Sequence, residues 1–116
     1  MNELNDIKEK LRKFALARDW EKFHSPKNLS MALSVEVAEL VEVFQWLSEE
    51  QSRNLTEEQY KSAQEEVADV FLYLLRLADI LGIDLLEAAS RKITINANKY
   101  PVDKVKGSSK KYTEYK

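Results

Sequence analysis

Residues 28–47 read NLSMALSVEVAELVEVFQWL, and the spacing of their apolar side chains decides the fold class. On a helical wheel at about 100° per residue, Leu29, Ala32, Leu33, Leu40, Val43 and Leu47 fall on one stripe. That period belongs to a helix buried along one face. Glu36 lies in the middle of the stripe, and Glu39 lies about 60° to one side, on the line of Val35 and Trp46. An ionised carboxylate in an apolar stripe costs several kcal/mol without a partner, or it binds a proton. Something has to compensate Glu36.

Reading outward from this segment gives four helices. The first covers about residues 3–18, with Leu4, Ile7, Leu11, Phe14 and Ala15 at helical spacing. The second begins near Asn28, after Ser25-Pro26 closes the preceding loop, and runs to about Leu47. The third starts after Thr56, which has the spacing of a capping box with Gln59, and stops at Gly82. Asp84 and Glu87 repeat the start signature for a fourth helix, which ends before Pro101. Residues 102–116 read as a polar, irregular tail.

Two glycines and two prolines in 116 residues are too few to punctuate a small β-sandwich, whereas long helices need few breaks. The expectation is one all-α domain over residues 1–116, four-helix bundle-like, with long antiparallel helices completed by oligomerisation. Without cysteine there is no disulfide, thiolate metal site or cysteine nucleophile, and one histidine excludes a site needing two from one chain. No run approaches the roughly 20 apolar residues that span a bilayer, and MNELNDIKEKLRK has no apolar signal core. A soluble, cytoplasmic protein is expected. The net charge of −2 points to neither a general nucleic-acid binder nor a membrane-surface binder. Its distribution is uneven: ten acidic and two basic residues from Glu36 to Asp69, then six lysines against Asp103 and Glu114 from Lys99 onward.

The third helix repeats the irregularity of the second. Val67, Val70, Phe71, Leu74, Ala78 and Leu81 make its main stripe, with Glu66 at the edge and Asp69 about 60° beyond, in line with Tyr73 and Ile80. Leu72, Tyr73 and Ile80 outside the stripe imply burial on two sides, one of them against another subunit. If the two helices pack antiparallel across their short connection, Glu36-x-x-Glu39 and Glu66-x-x-Asp69 come to face one another. Four carboxylates so placed repel unless cations intervene, and all-oxygen ligand sets suit Mg²⁺ or Mn²⁺. Two other readings stand beside the metal site: solvated acidic pairs, and buried carboxylates paired with Arg or Lys.

The fourth helix carries Lys92, Asn96, Lys99 and Tyr100 where its inward face should continue aliphatic. Such an end can bind phosphate oxygens and a base edge, or it is an ordinary helix terminus whose lysines favour the dipole. Trp20 and Trp46 can form a stacking platform or simply fill core. His24 is a ligand contact or a satisfied loop histidine.

FALARDWEKFHSPKNLSMALSVEVAELVEVFQW, EEVADVFLYLL, NKYP and KGSSKKYTEY together resemble the all-α MazG-like nucleotide pyrophosphohydrolases, within them the dCTP pyrophosphatase group. The similarity runs from about Phe14 to Tyr115. It implies Mg²⁺ held by Glu36, Glu39, Glu66 and Asp69, the same four residues being the catalytic set; it does not settle whether Glu65, beside Glu66, also assists a metal or orients water. It implies a base pocket of Trp20, Trp46, His24 and Asn96, a phosphate contact at Lys92, and Tyr100 in the turn that follows. It also implies homo-oligomers with sites between subunits, a tetramer built as a dimer of dimers being favoured over a dimer. The reaction implied is cleavage of a nucleoside triphosphate between its α and β phosphates by activated water, with dCTP or a modified dCTP the favoured substrate. The enzyme alternative is dUTP or broad dNTP hydrolysis; the non-enzyme alternatives are a helical oligomerisation or regulatory module and a nucleic-acid contact through the lysine-rich tail.

Overall fold

The computed structural model describes residues 3–107, and these are all-α, with six α-helices, a single 3₁₀ turn and no strand. The helices are α1 (Glu3–Ala17), α2 (Pro26–Phe44), α3 (Glu49–Arg53), α4 (Glu57–Leu81), α5 (Leu85–Lys99) and α6 (Val102–Val105); the 3₁₀ turn is Glu21–Phe23. The chain falls into two compact units, Met1–Gly82 and Ile83–Lys116. No helix among the described residues is long and apolar enough to cross a membrane.

In the first unit the helix boundaries follow from capping chemistry. The Ser25 hydroxyl accepts the Asn28 N–H at 3.1 Å, so Pro26 occupies the first helical position, where a missing N–H costs nothing. Helix α2 therefore starts two residues before the expected Asn28, and it ends at Phe44 rather than near Leu47. Ser48 and Gln51 form a reciprocal capping box that starts α3, a helix the sequence reading passed over. Thr56 and Gln59 form the same box and start the 25-residue α4 as expected. Gly82 ends α4 at φ 71°, a left-handed conformation open to glycine, with its N–H on the Ala78 and Asp79 carbonyls.

Helix α2 packs along α4, and α1 lies against α4 more narrowly. Pairings along α2 and α4 run in opposite senses: His24, just before α2, bonds Arg76 late in α4, whereas Glu36 and Glu39 further along α2 meet Glu66 earlier in α4. The two helices are thus antiparallel. Leu29 and Leu75 are fully buried, and Ala15, Ala63 and Ala78 are buried small residues. The stripe read for α2 holds: Leu29 is buried, and Ala32, Leu33, Glu36, Leu40, Val43 and Leu47 are half-buried.

The stripe read for α4 becomes the inner face of this chain only in part: Ala78 is buried and Val70 half-buried. Val67, Phe71, Leu74 and Leu81 are exposed, while Leu75 and Arg76 are buried and the Asp79 side chain is 8% exposed. Because α4 is apolar around most of its circumference, periodicity marks where it is greasy but not which side this chain covers.

The second unit holds α5 and α6. The Asp84 carboxylate accepts the Glu87 N–H at 3.1 Å and caps α5 as its spacing predicts. After Pro101 the chain makes the short α6 where an irregular tail was expected, so that expectation is corrected for residues 102–105. Proline fits a helix entry, having its φ already set and its N–H dispensable. Residues 108–116, the rest of that tail, lie outside the described residues.

Candidate functional site

Antiparallel packing of α2 on α4 brings Glu36, Glu39 and Glu66 together: one carboxylate oxygen from each lies within 4.8 Å of the others. Oε2 of Glu36 and Oε2 of Glu66 are buried without a hydrogen-bond partner. Burial pushes the Glu36 carboxyl above the usual carboxylate range, helped by Glu39, Asp69 and Glu66. Burial likewise pushes Glu66 up, with Glu39, Asp69 and Glu65 adding to it. Two orphaned oxygens amid mutual repulsion are what a hard divalent cation would relieve, and a donor set made only of carboxylates fits such an ion. The arrangement could hold a divalent metal ion. Asp69 acts on both Glu36 and Glu66 electrostatically but lies outside the tight three-residue cluster.

Asp69 also lines a cavity of about 450 Å³ formed by α1, the following loop, α2 and α4. Its wall is chiefly apolar: Ile7, Leu11, Phe14, Ala15, Trp20, Leu29 and Leu72. Its polar groups are Lys10, His24, Asp69, Tyr73 and Arg76. An apolar wall with a few convergent polar groups is the usual make-up of a small-molecule site, and the volume is within the ordinary range of about 300–1,000 Å³. Burial and the fields of Glu36, Asp69 and Glu39 raise the Tyr73 pKa, so its phenol stays protonated and can donate. Tyr73 therefore joins the cavity to the acidic cluster.

The aromatic edge of the cavity is fixed by local contacts. Trp20 meets Phe14 edge to face, with centroids 5.7 Å apart at 71°, and the Arg18 guanidinium sits 3.6 Å over the Phe14 ring. Asp19 before Trp20 has φ 54°, which turns the chain sharply out of α1. His24 accepts a hydrogen bond at Nδ1 from Arg76 Nε at 3.1 Å. Burial lowers the His24 pKa, and Arg76 lowers it further against a weaker opposing pull from Glu21.

Of the residues singled out in the sequence, the structure brings Glu36, Glu39 and Glu66 together and puts Trp20, His24 and Asp69 on one cavity. Trp46 is 86% exposed and is not part of that cavity wall. Lys92 and Asn96 lie on α5 and Tyr100 caps it, its N–H donating to the Asn96 carbonyl, all within the second unit. The sequence reading missed Lys10, Phe14, Tyr73 and Arg76 as cavity residues. Tyr73 had a signal, standing one turn after Asp69, and Arg76 had another, as the single base inside the apolar run FLYLLRLADIL.

Comparison with known proteins bears on this site. The MazG-like family model matches residues 31–115. The chain is 42% identical over 113 residues to human dCTP pyrophosphatase 1, covering 96% of this chain and 66% of that protein. It is 43% identical to dCTP pyrophosphatase 1 of Rattus norvegicus, over the same shares of the two chains. The chain thus spans just under two thirds of the length of these relatives. A crystal structure of a pyrophosphatase from Archaeoglobus fulgidus superposes with a TM-score of 0.82 at 41% identity, covering 87% of this chain and 94% of that one. The chain belongs to the MazG-like family.

Proposed function

We propose that this chain, as a single MazG-like domain, is a Mg²⁺-dependent nucleoside triphosphate pyrophosphohydrolase of the cytoplasmic nucleotide pool, converting dCTP or a modified dCTP to the monophosphate and pyrophosphate. The observation that carries this reading is the Glu36, Glu39 and Glu66 cluster, with its two unpartnered buried oxygens beside a nucleotide-sized cavity. The identity to dCTP pyrophosphatase 1 over nearly the whole chain supports the choice of base.

Glu36, Glu39 and Asp69 would hold the ion, with Glu66 completing the set. Mg²⁺ supplies charge neutralisation at the phosphates and a lowered pKa for water. The chain's own groups do the rest. Glu39 or Glu66 orients the attacking water or takes its proton. The water oxygen bonds to one of the two phosphorus atoms that share the α–β bridging oxygen as that phosphorus loses its bond to the bridge, giving the monophosphate and pyrophosphate. Trp20, held edge-on by Phe14, offers a face for the base. Asn96, an amide that both donates and accepts, is assigned to the base edge, Lys92 to phosphate, and Trp46 and Tyr100 to the remaining substrate contacts. A cytosine pattern of donor and acceptors, left unpaired by uracil, is how such an edge would select.

The same proposal includes a homo-oligomer, a tetramer rather than a dimer. The exposed α4 stripe of Val67, Phe71 and Leu74 supports association, because so much aliphatic and aromatic surface on one helix is ordinarily covered. Product analysis tests the reaction: dCTP with Mg²⁺ should give dCMP and pyrophosphate in equal amounts, and chelation should stop it. Formation of dCDP and phosphate would overturn the assignment of the bond cleaved.

A further inference from the structure

His24 is the chain's single histidine, and its Nδ1 faces a donor that has no other option. Arginine carries five N–H groups and no acceptor, so the 3.1 Å contact from Arg76 Nε requires a lone pair on Nδ1. A neutral imidazole with a lone pair on Nδ1 has its proton on Nε2. Arg76 is itself buried and anchored: Nη1 lies 3.6 Å from Asp79 Oδ2. Asp79 in turn accepts from Arg12 through Nε at 2.7 Å and Nη2 at 2.6 Å. A line of contacts therefore runs from the exposed Arg12 on α1, through Asp79 and Arg76 on α4, to the ring at the entry of α2.

We infer that Arg76, braced by Asp79 and Arg12, is a positioning residue that locks His24 as the Nε2–H tautomer, so that the ring presents one fixed donor to an acceptor oxygen or ring nitrogen of a nucleotide in the adjoining cavity. The inference rests on the proposed nucleotide reading for the identity of the ligand, but not for the tautomer or its cause. Both His24 and Arg76 line the cavity, and with Nδ1 engaged, Nε2–H is the ring's remaining polar group. The opposite tautomer, or the imidazolium, would set an N–H against the guanidinium N–H. The charged groups around the ring are Arg76 and Glu21, with Lys10, Asp69 and Tyr73 on the same cavity. Arg76 acts on the ring most directly among them, being bonded to it.

One histidine makes the test specific, because the imidazole ¹⁵N spectrum of the whole protein reports a single ring. Wild type should show Nε2 protonated and Nδ1 unprotonated at pH 7, and adding dCMP should move the Nε2–H signal. Arg76→Met should give a mixture of tautomers and a higher His24 pKa, while Arg76→Lys should keep the Nε2–H form. In dCTP turnover, Arg76→Met should raise KM about tenfold, the loss of one oriented hydrogen bond, with kcat little changed. The effect should not add to that of His24→Gln if it passes through the ring. An Nδ1–H wild-type ring would overturn the inference without any variant, so a poorly folding Arg76→Met leaves it testable. An unchanged tautomer in folded Arg76→Met would overturn it equally, as would full additivity with His24→Gln. Absence of turnover from wild type with an Nε2–H ring would instead retire the nucleotide reading and the ligand named here.

Discussion

Arg12 and Asp79, 67 residues apart in the chain, are joined by two parallel hydrogen bonds of 2.7 and 2.6 Å. The partners differ in setting: the Asp79 side chain is 8% exposed and that of Arg12 47%. Asp79 also neutralises the buried Arg76, so one carboxylate serves two guanidinium groups and ties α1 to α4. Asp79→Ala would leave Arg76 buried without a counter-charge and should cost about 3 kcal/mol in urea denaturation. Arg12→Ala should cost clearly less, because Asp79 keeps Arg76 and solvent reaches the gap. An Arg12 effect as large as that of Asp79 would contradict this ordering.

The pH dependence of stability follows from His24. Its pKa is lowered in the fold by burial and by Arg76, so between the folded and unfolded values the unfolded chain binds more protons. That contribution is complete above the ordinary histidine value of about 6.5 and fades as pH falls below it. Asp79, whose pKa is lowered by Arg12, acts with the same sign at more acid pH. The difference in Tm between wild type and His24→Gln, followed from pH 8 to pH 5, should shift against wild type on acidification. A flat difference would show that His24 titrates alike in both states.

Metal should act with the opposite pH preference to the empty cluster. Burial and repulsion raise Glu36 and Glu66, so the metal-free fold binds protons that the unfolded chain does not, and it loses stability as pH rises from about 4.5 through those raised values. Mg²⁺ relieves the same charge, so it should raise Tm at pH 7.5 by an amount that shrinks on acidification as protons compete. At one hundred times its Kd the gain is about 2.7 kcal/mol. Glu36→Gln should abolish the Mg²⁺ effect and, without metal, be no less stable than wild type, having one buried charge fewer. A metal-free Glu36→Gln protein that melts well below wild type would argue for an ion pair instead.

The exposed aliphatic and aromatic stripe on α4 makes a prediction about mass. Light scattering should give a multiple of the 13.5 kDa chain, and Phe71→Glu or Leu74→Glu should reduce it. A monodisperse 13.5 kDa wild type would leave Val67, Phe71 and Leu74 open to solvent and remove the oligomer from the account.

Some of this was legible in the sequence because it depends on local chemistry. The Thr56 and Gln59 box, the Asp84 cap and the Gly82 stop are fixed by neighbours a few residues apart, and all three appear as read. The Ser48 and Gln51 box has the same form and was equally readable, but the single-turn α3 behind it has no apolar period to draw attention. Glu36 stood out because a charge in the middle of an apolar stripe needs an explanation, and its meeting with Glu66 followed from antiparallel packing. The Arg12, Asp79, Arg76 and His24 contacts were not legible: Arg76 and His24 each stand out in their own segments, but only the packing of three segments joins them to one another and to Asp79 and Arg12. The outward stripe of α4 was hidden for a different reason, since apolar periodicity cannot distinguish surface covered within one chain from surface covered by another.

The measurement that bears most directly on the central claim is pyrophosphate release with Mg²⁺ from dCTP, 5-methyl-dCTP, dUTP, dTTP, dATP, dGTP and the ribonucleotides, with folded Glu39→Gln alongside. The account predicts turnover of the cytosine deoxynucleotides, at least a hundredfold slower release from the others, and none in the variant. Turnover by Glu39→Gln at the wild-type rate, or no turnover of any nucleotide by folded wild type, would contradict it.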